Sequence, residues 1–287
     1  MLMTPEIALE YINAAKSSTY SVAGQFSGGE NQGAYRVVNG DGTGAVLKLS
    51  SNPMWRAQVE RAKAATDHLR TLGYPVPKYL HIDSTSSGTY WLEDELPGQP
   101  VTSPTPGQTA ALLKLVELQK GQTISAVQGQ DWSWYAAGVV FRGDGGLVRT
   151  MMQFSVETSA LAAQIEGLVL GLDSKALGNS DLVHGDLGIS QVMTVGDDIS
   201  AVLDWDQVGY GDRAMDLVGL WYSLMDIPAA RDQVYAALLA VADHESIKIF
   251  AAYKMLAMVA WSINKSGGEV ATVAQQAKSA LQILSTL

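Results

Sequence analysis

The stretch VHGDLGISQVM, residues 183–193, brings a histidine, an aspartate and an amide side chain close together at His184, Asp186 and Gln191. A second aspartate, Asp204, follows in LDWDQVGYGDRAMDL, residues 203–217. Phosphoryl transfer asks little covalent chemistry of a protein. It needs a carboxylate on the attacking hydroxyl, oxygen ligands for a divalent cation and a positive charge on the nucleotide phosphates. The two stretches hold residue types for the first two needs, and Lys48 in the alternating segment AVLKL is a candidate for the third. Other chemistries find less support. His184 could serve as a general base on its own, but there is no G-x-S-x-G elbow for a serine hydrolase. His68, His81, His184 and His244 show no close pairing of the kind zinc uses. The chain has no cysteine, which excludes disulfides, thiolate catalysis and cysteine-ligated metals.

A scaffold must hold these residues. Asp186 stands a few positions before VMTV, the turn GDD and ISAVLDW, which read as a β-hairpin, and Asp204 lies at its end. Both carboxylates can therefore face one cleft. Upstream, Thr4, Pro5 and Glu6 open a helix in the order of cap, proline and acid. Residues 19–50 are β-prone and read as two strands joined by NGDGTG. Trp55, Val59, Ala62, Thr66 and Leu69 then recur at steps of three and four, which predicts an amphipathic helix ending before Gly73. KYLHID and TYWLEDEL read as further strands, and PGQPVTSPTPG as a connector. Beyond about residue 107 the texture is helical. The expected architecture is α+β, with a small N-terminal antiparallel-sheet lobe over 1–98 and a larger, mainly helical lobe over 99–287.

Composition narrows the partners. With 47% apolar and 17% charged residues the chain reads as globular rather than disordered. Its 19 basic and 29 acidic residues leave a net charge of −10, which disfavours nucleic acid and anionic lipid and suits cationic ligands. The N-terminus has no basic region before an apolar core, so it does not read as a signal peptide. The longest apolar run, IFAAYKMLAMVAW from 249 to 261, is interrupted by Lys254 and falls short of the roughly 20 residues a bilayer needs. It reads as a core helix. A cytoplasmic monomer or homodimer without a membrane span is expected.

HGD at 184–186, LDWD at 203–206 and GDRAMDL at 211–217, with VLKL around Lys48, resemble the aminoglycoside phosphotransferase and choline-kinase-like family, which shares the bilobal protein-kinase-like fold. The resemblance follows the order of nearly the whole chain, but only residues 183–217 are specific to the family. It implies ATP and Mg²⁺ as cofactors and a small-molecule acceptor. Asp186 matches the catalytic aspartate that would orient the acceptor hydroxyl and take its proton. Asp204 matches the metal-binding aspartate, and Asp206 is a further acid for the metal or the acceptor. Gln191 stands where the family has a metal-binding asparagine; its stem is one methylene longer, and Gln191→Asn should preserve or raise activity. Lys48 would sit on the nucleotide phosphates, with Glu60 in the following helix as its partner. Gly28 and Gly29 in FSGGENQG occupy the place of the phosphate-covering turn, although a plain hairpin turn reads the same way. Backbone groups around Glu93, Glu95 and Leu96 would meet an adenine edge at the hinge. His184 and Asp216 resemble structural anchors of the catalytic loop.

The acceptor is less legible, because one fold serves many substrates. Asp131, Trp132, Trp134, Tyr135 and Asp144 in GQDWSWYAAGVVFRGDGG combine acids with aromatic faces, which suits a cationic acceptor; core packing of an insertion explains the tryptophans better. The favoured function is an ATP-dependent small-molecule kinase acting on an aminoglycoside or related antibiotic, as in resistance. The alternatives are a choline- or homoserine-type metabolite kinase and a catalytically silent ligand-binding relative.

Overall fold

Thr4 caps the first helix, its Oγ1 accepting the Ile7 N–H at 3.4 Å, and Pro5 fills a position where a missing N–H costs nothing. This helix, α1 (Pro5–Lys16), ends at Ser17, whose left-handed φ of 52° turns the chain. The computed structural model describes residues 3–26, 33–127, 129–265 and 267–287. The elements that follow α1 are β1 (Ser21–Gln25), β2 (Ala34–Val38), β3 (Gly44–Ser50), α2 (Arg56–Thr71), β4 (Tyr79–Thr85) and β5 (Gly88–Asp94). Next come β6 (Gln99–Pro100), α3 (Pro106–Glu117), α4 (Trp132–Ala137), α5 (Leu147–Phe154), α6 (Val156–Leu168), β7 (Asp181–Val183), β8 (Val192–Val195), β9 (Asp198–Val202) and β10 (Gly209–Gly211). Helices α7 (Ala214–Ser223), α8 (Pro228–Val241), α9 (His244–Lys265) and α10 (Val270–Leu284) complete the chain.

Two units result. The first comprises Met1–Gln99, Met193–Val195 and Ile199–Val208, and the second comprises Pro100–Val192, Gly196–Asp198 and Gly209–Leu287. In the first unit an antiparallel sheet runs in the order β1-β2-β3-β5-β4. The sequence predicted two strands between 19 and 50 where the structure has three, because the segment from 26 to 33 separates β1 from β2. Gly28 and Gly29 lie outside the described residues. Alternation along β3 buries Ala45, Leu47 and Leu49, which pack with Val37, Tyr90 and Leu92 against Ala8, Leu9 and Ile12 of α1. Each such leucine contributes roughly 1.5–3 kcal/mol by burial.

Most of the β8–β9 hairpin groups with the first unit rather than with the helices, so that unit is not one continuous stretch. The Val202 N–H bonds the Pro75 carbonyl at 2.8 Å, and Trp205, fully buried, meets Tyr74 edge-on at 5.4 Å. The second unit is built mainly of helices. Thr105 and Gln108 form a capping box that starts α3 after Pro104 and before Pro106, and Ser155 with Thr158 starts α6 in the same way. Helix α9 is long and apolar enough by composition to cross a membrane, but 67% of its most apolar window is buried inside the fold.

Candidate active site

In the first unit, strand alternation decides what Lys48 meets. With Leu47 and Leu49 turned to the core, Lys48 and Val46 take the opposite face of β3. Strand β5 sets Trp91 opposite Lys48 and Glu93 opposite Val46, so Glu93 is the diagonal neighbour of Lys48 on that face. Lys48 Nζ lies 3.4 Å from Glu93 Oε2 and 2.5 Å from Asp204 Oδ1. Glu93 is buried and also accepts the Trp91 Nε1–H at 2.8 Å. Burial works against the lysine's charge, yet Glu93, then Asp204 and Asp206, outweigh it and raise its pKa, so Lys48 is held as an ammonium. Burial also raises Glu93, and Lys48 and Trp91 offset this only in part. Tyr79, opposite Glu93 on β4, has its phenol pushed up by burial and then by Glu93, Asp206 and Asp204.

Asp204 has a φ of 61° and a ψ of 55°, a left-handed conformation that aspartate tolerates better than most side chains. The buried Trp205 that follows donates its Nε1–H to the Val202 carbonyl at 3.0 Å and anchors this turn, leaving the Asp204 side chain 57% exposed. A half-buried Asp206 follows on the same turn. Among the described residues no group of three or more His, Cys, Asp or Glu side chains could cage a metal alone. Hard carboxylate oxygens at Asp204 and Asp206 instead fit a Mg²⁺ that takes one or two carboxylates and fills its shell from phosphate and water.

Glu60 does not partner Lys48. One position past the buried Val59, it is turned away from the core of α2 and pairs with Arg56, one helical turn back, at 2.8 Å. The lysine's glutamate is supplied by β5. Glu93, predicted to act through its backbone, therefore also engages by its side chain. Glu95, just past β5, is ion-paired with Arg36 at 2.6 Å, and Leu96 beside it is half-buried.

The second unit carries the HGD loop. Asp216, near the start of α7, is buried, and its carboxylate accepts the His184 N–H at 2.7 Å, the Gly185 N–H at 3.1 Å and the Gln119 Nε2–H at 2.7 Å. Burial raises its pKa, against the pull of His184 and these donors. His184 is fully buried, and its Nδ1 accepts the Asp186 N–H at 3.3 Å, which makes it a brace of the loop rather than a solvent-facing base. Ser223 Oγ accepts the Ile189 N–H at 3.0 Å, and Gly219 lets α7 lie against the Leu187 carbonyl, where a Cβ would come within 2.3 Å of the oxygen. Held this way, the Asp186 side chain is 56% exposed, and its Oδ1 is 3.1 Å from Lys254 Nζ of α9. The Gln191 amide oxygen accepts the Gly188 N–H at 3.1 Å and the Ser190 hydroxyl at 2.9 Å. Its extra methylene lets the amide fold back on its own loop.

The acid and aromatic segment is largely engaged internally. Asp131 caps α4 by accepting the Trp134 N–H at 2.9 Å. Trp132 is buried and meets Tyr135 edge-on at 5.5 Å. Trp134 is exposed, but the Arg142 guanidinium already lies 4.9 Å from its ring, and Asp144 pairs with Arg142 at 2.8 Å.

Sequence reasoning overlooked Lys254, Gln119, Ser223 and Gly219. Only Lys254 left a signal, as the one charge inside the apolar run from 249 to 261.

Comparison with known proteins bears on the family and the fold. A family described as the phosphotransferase enzyme family matches residues 23–250. Viomycin phosphotransferase of Streptomyces vinaceus is 29% identical over 187 residues, which span 58% of this chain and 60% of that protein. Among solved structures, aminoglycoside phosphotransferase APH(4)-Ia superposes with a TM-score of 0.72 at 18% identity, covering 98% of this chain and 99% of that one. A thermostable mutant of it, in ternary complex with ADP and hygromycin B, gives 0.69 at 18% identity, covering 96% and 97%. Macrolide 2′-phosphotransferase MphH from Brachybacterium faecium gives 0.61 at 19% identity, covering 95% and 96%. The α+β, protein-kinase-like architecture is the one these structures share.

Proposed function

The chain belongs to the phosphotransferase enzyme family, and from that premise we propose that it transfers the γ-phosphoryl group of ATP to a hydroxyl of a small cationic acceptor, an aminoglycoside or related antibiotic. The observation that carries the reading is Lys48, a mostly buried ammonium held between Glu93 and Asp204. A lysine in that setting is suited to nucleotide phosphates, and the solved relatives with bound ADP and AMP-PNP support a nucleotide ligand. In this reading Asp186 orients the acceptor hydroxyl and takes its proton, while His184 and Asp216 hold the loop. Asp204 would hold Mg²⁺, with Asp206 nearby and Gln191 contributing once its amide leaves the loop. When bound, the ion neutralises phosphate charge. The net charge of −10, the relative named for viomycin and the solved aminoglycoside phosphotransferase with bound hygromycin B favour a cationic acceptor.

The test is ADP release in Mg²⁺ across hydroxylated cationic compounds, with viomycin, hygromycin B, choline and homoserine included. Turnover should depend on one acceptor and vanish in Asp186→Asn with nucleotide binding retained. Full activity in that variant would sink the assignment. One observation favours a silent relative instead: the Gln191 oxygen is already engaged by Gly188 and Ser190. Nucleotide-induced stabilisation that is indifferent to Mg²⁺, with no acceptor phosphorylated, would select that reading.

A further inference from the structure

Lysine 254 stands in the middle of α9, among Ala251, Ala252, Tyr253, Met255 and Leu256, all buried. Its own side chain is only 14% exposed. Lysine is almost never buried without a partner, because its ammonium loses hydration. Among the described residues its one ion-pair partner is Asp186, at 3.1 Å. The loop from His184 to Gln191 carries no lysine or arginine of its own, so the cation beside Asp186 comes from a helix far along the sequence. Tyr253, the preceding residue, feels this carboxylate electrostatically: burial, then Tyr135 and Asp186, push its phenol up.

We propose that Lys254 is a positioning residue for the Asp186 carboxylate. It occupies Oδ1, fixes the rotamer of a side chain that is otherwise more than half exposed, and leaves Oδ2 to the acceptor. The inference rests on the reading that Asp186 serves the acceptor hydroxyl. In the transfer, the hydroxyl proton passes to Oδ2 as the acceptor oxygen bonds to the γ-phosphorus. The bond from that phosphorus to the β–γ bridging oxygen breaks, and its electron pair leaves with ADP. Lys254 keeps its protons throughout, and Oδ2 returns its proton to solvent. A carboxylate free to rotate would offer its oxygen to the hydroxyl only part of the time, and misplacement of about 1 Å can cost on the order of 10²-fold in rate.

The experiment follows ADP release from ATP in Mg²⁺, with viomycin as acceptor and, in parallel, with water. Lys254→Met keeps the length and removes the charge from a largely buried site, so folding should be retained. Its kcat is expected to fall about 10²-fold while KM for ATP and for viomycin stays within twofold. Lys254→Arg should recover most of the rate, and ethylammonium should partly restore Lys254→Ala. A Lys254→Met kcat within twofold of the parent, or a raised viomycin KM at unchanged kcat, overturns the proposal. If Lys254→Met does not fold, failure of both Lys254→Arg recovery and ethylammonium rescue overturns it instead. Asp186→Asn separates the two levels: activity in that variant removes the underlying reading, whereas an inactive Asp186→Asn beside a fully active Lys254→Met removes only the role of Lys254.

Discussion

Replacing Glu93 with glutamine removes the anion beside Lys48 while keeping the shape and an oxygen for the Trp91 Nε1–H. At 3.4 Å the attraction between the two charges is about 5 kcal/mol for an effective dielectric of about 20. Burial and the nearby Asp204 oppose this and raise the glutamate's pKa, with Lys48 and Trp91 offsetting them only in part. Removing one partner leaves the buried Lys48 ammonium less compensated, so Glu93→Gln should destabilise the folded state, by at most about 3–5 kcal/mol because Asp204 remains. Function should respond as well. Lys48 keeps Asp204, at 2.5 Å, with Asp206 beyond it, and is drawn onto the carboxylate proposed for the metal. A loss of about 1.4 kcal/mol in nucleotide binding is tenfold in affinity, so KM for ATP should rise at least tenfold. Thermal unfolding with and without ATP, together with steady-state ADP release, separates the two effects. Glu60→Gln is the control, since Glu60 pairs with Arg56 on the surface and should alter KM by less than twofold. Unchanged nucleotide KM in Glu93→Gln, or an equal effect from Glu60→Gln, would refute the reasoning.

Other perturbations test the scaffold. Gly219→Ala pushes a methyl against the Leu187 carbonyl and should cost about 1–3 kcal/mol in urea unfolding while lowering turnover through the loop that carries Asp186. Asp216→Ala strips the acceptor from the N–H groups of His184, Gly185 and Gln119; at about 1–3 kcal/mol for each unsatisfied buried donor, a loss above about 3 kcal/mol is expected from the shift in urea midpoint. His81 has its pKa lowered by burial and then by Lys16, with Asp83 opposing, and its buried Nε2 has no hydrogen-bond partner among the described residues. Its folded value lies below the unfolded value of about 6.5, so the stability it contributes is present above that pH and is lost as pH falls through the folded value. The urea midpoint should drop over that window, and His81→Phe should flatten the drop.

What the sequence revealed depended on how local the deciding contact was. HGD, LDWD and GDRAMDL are short segments recognisable from neighbouring residues, although Asp216 and Asp204 meet partners far along the chain, and Thr4-Pro5-Glu6 caps a helix by neighbouring groups alone. The partner of Lys48 is different in kind. Glu60 and Glu93 are both glutamates downstream of the lysine, and it is the β3–β5 register that sets Glu93 diagonal to Lys48. Helix phase could have warned against Glu60, since the buried stripe of Val59, Ala62, Thr66 and Leu69 leaves it off the packed face. The acids near the tryptophans were less legible for another reason: Asp131 is a helix cap and Asp144 partners Arg142, uses that composition does not distinguish from ligand binding.

The two aspartates assigned to chemistry are handled alike. In the first unit Asp204 projects from a left-handed turn and meets Lys48, whose stem is buried in the sheet; in the second Asp186 projects from a braced loop and meets Lys254, whose stem is buried in α9. In both pairs the lysine is the fixed partner and the carboxylate the exposed one, at 57% and 56% of its side-chain surface. A lysine anchored along its methylenes loses little further freedom when it pairs, whereas an exposed carboxylate alone would sample several rotamers. On the proposed role of Lys254, that lysine sets where Asp186 points before any substrate arrives. The arrangement also suits a chain of net charge −10, in which the acids needed for transfer would otherwise add to an existing negative field. A cationic acceptor gains from that field at long range, while a positive group immediately beside Asp186 Oδ1 would meet Lys254. The reacting hydroxyl of the acceptor should accordingly lie on the Oδ2 side, with its ammonium groups carried farther out.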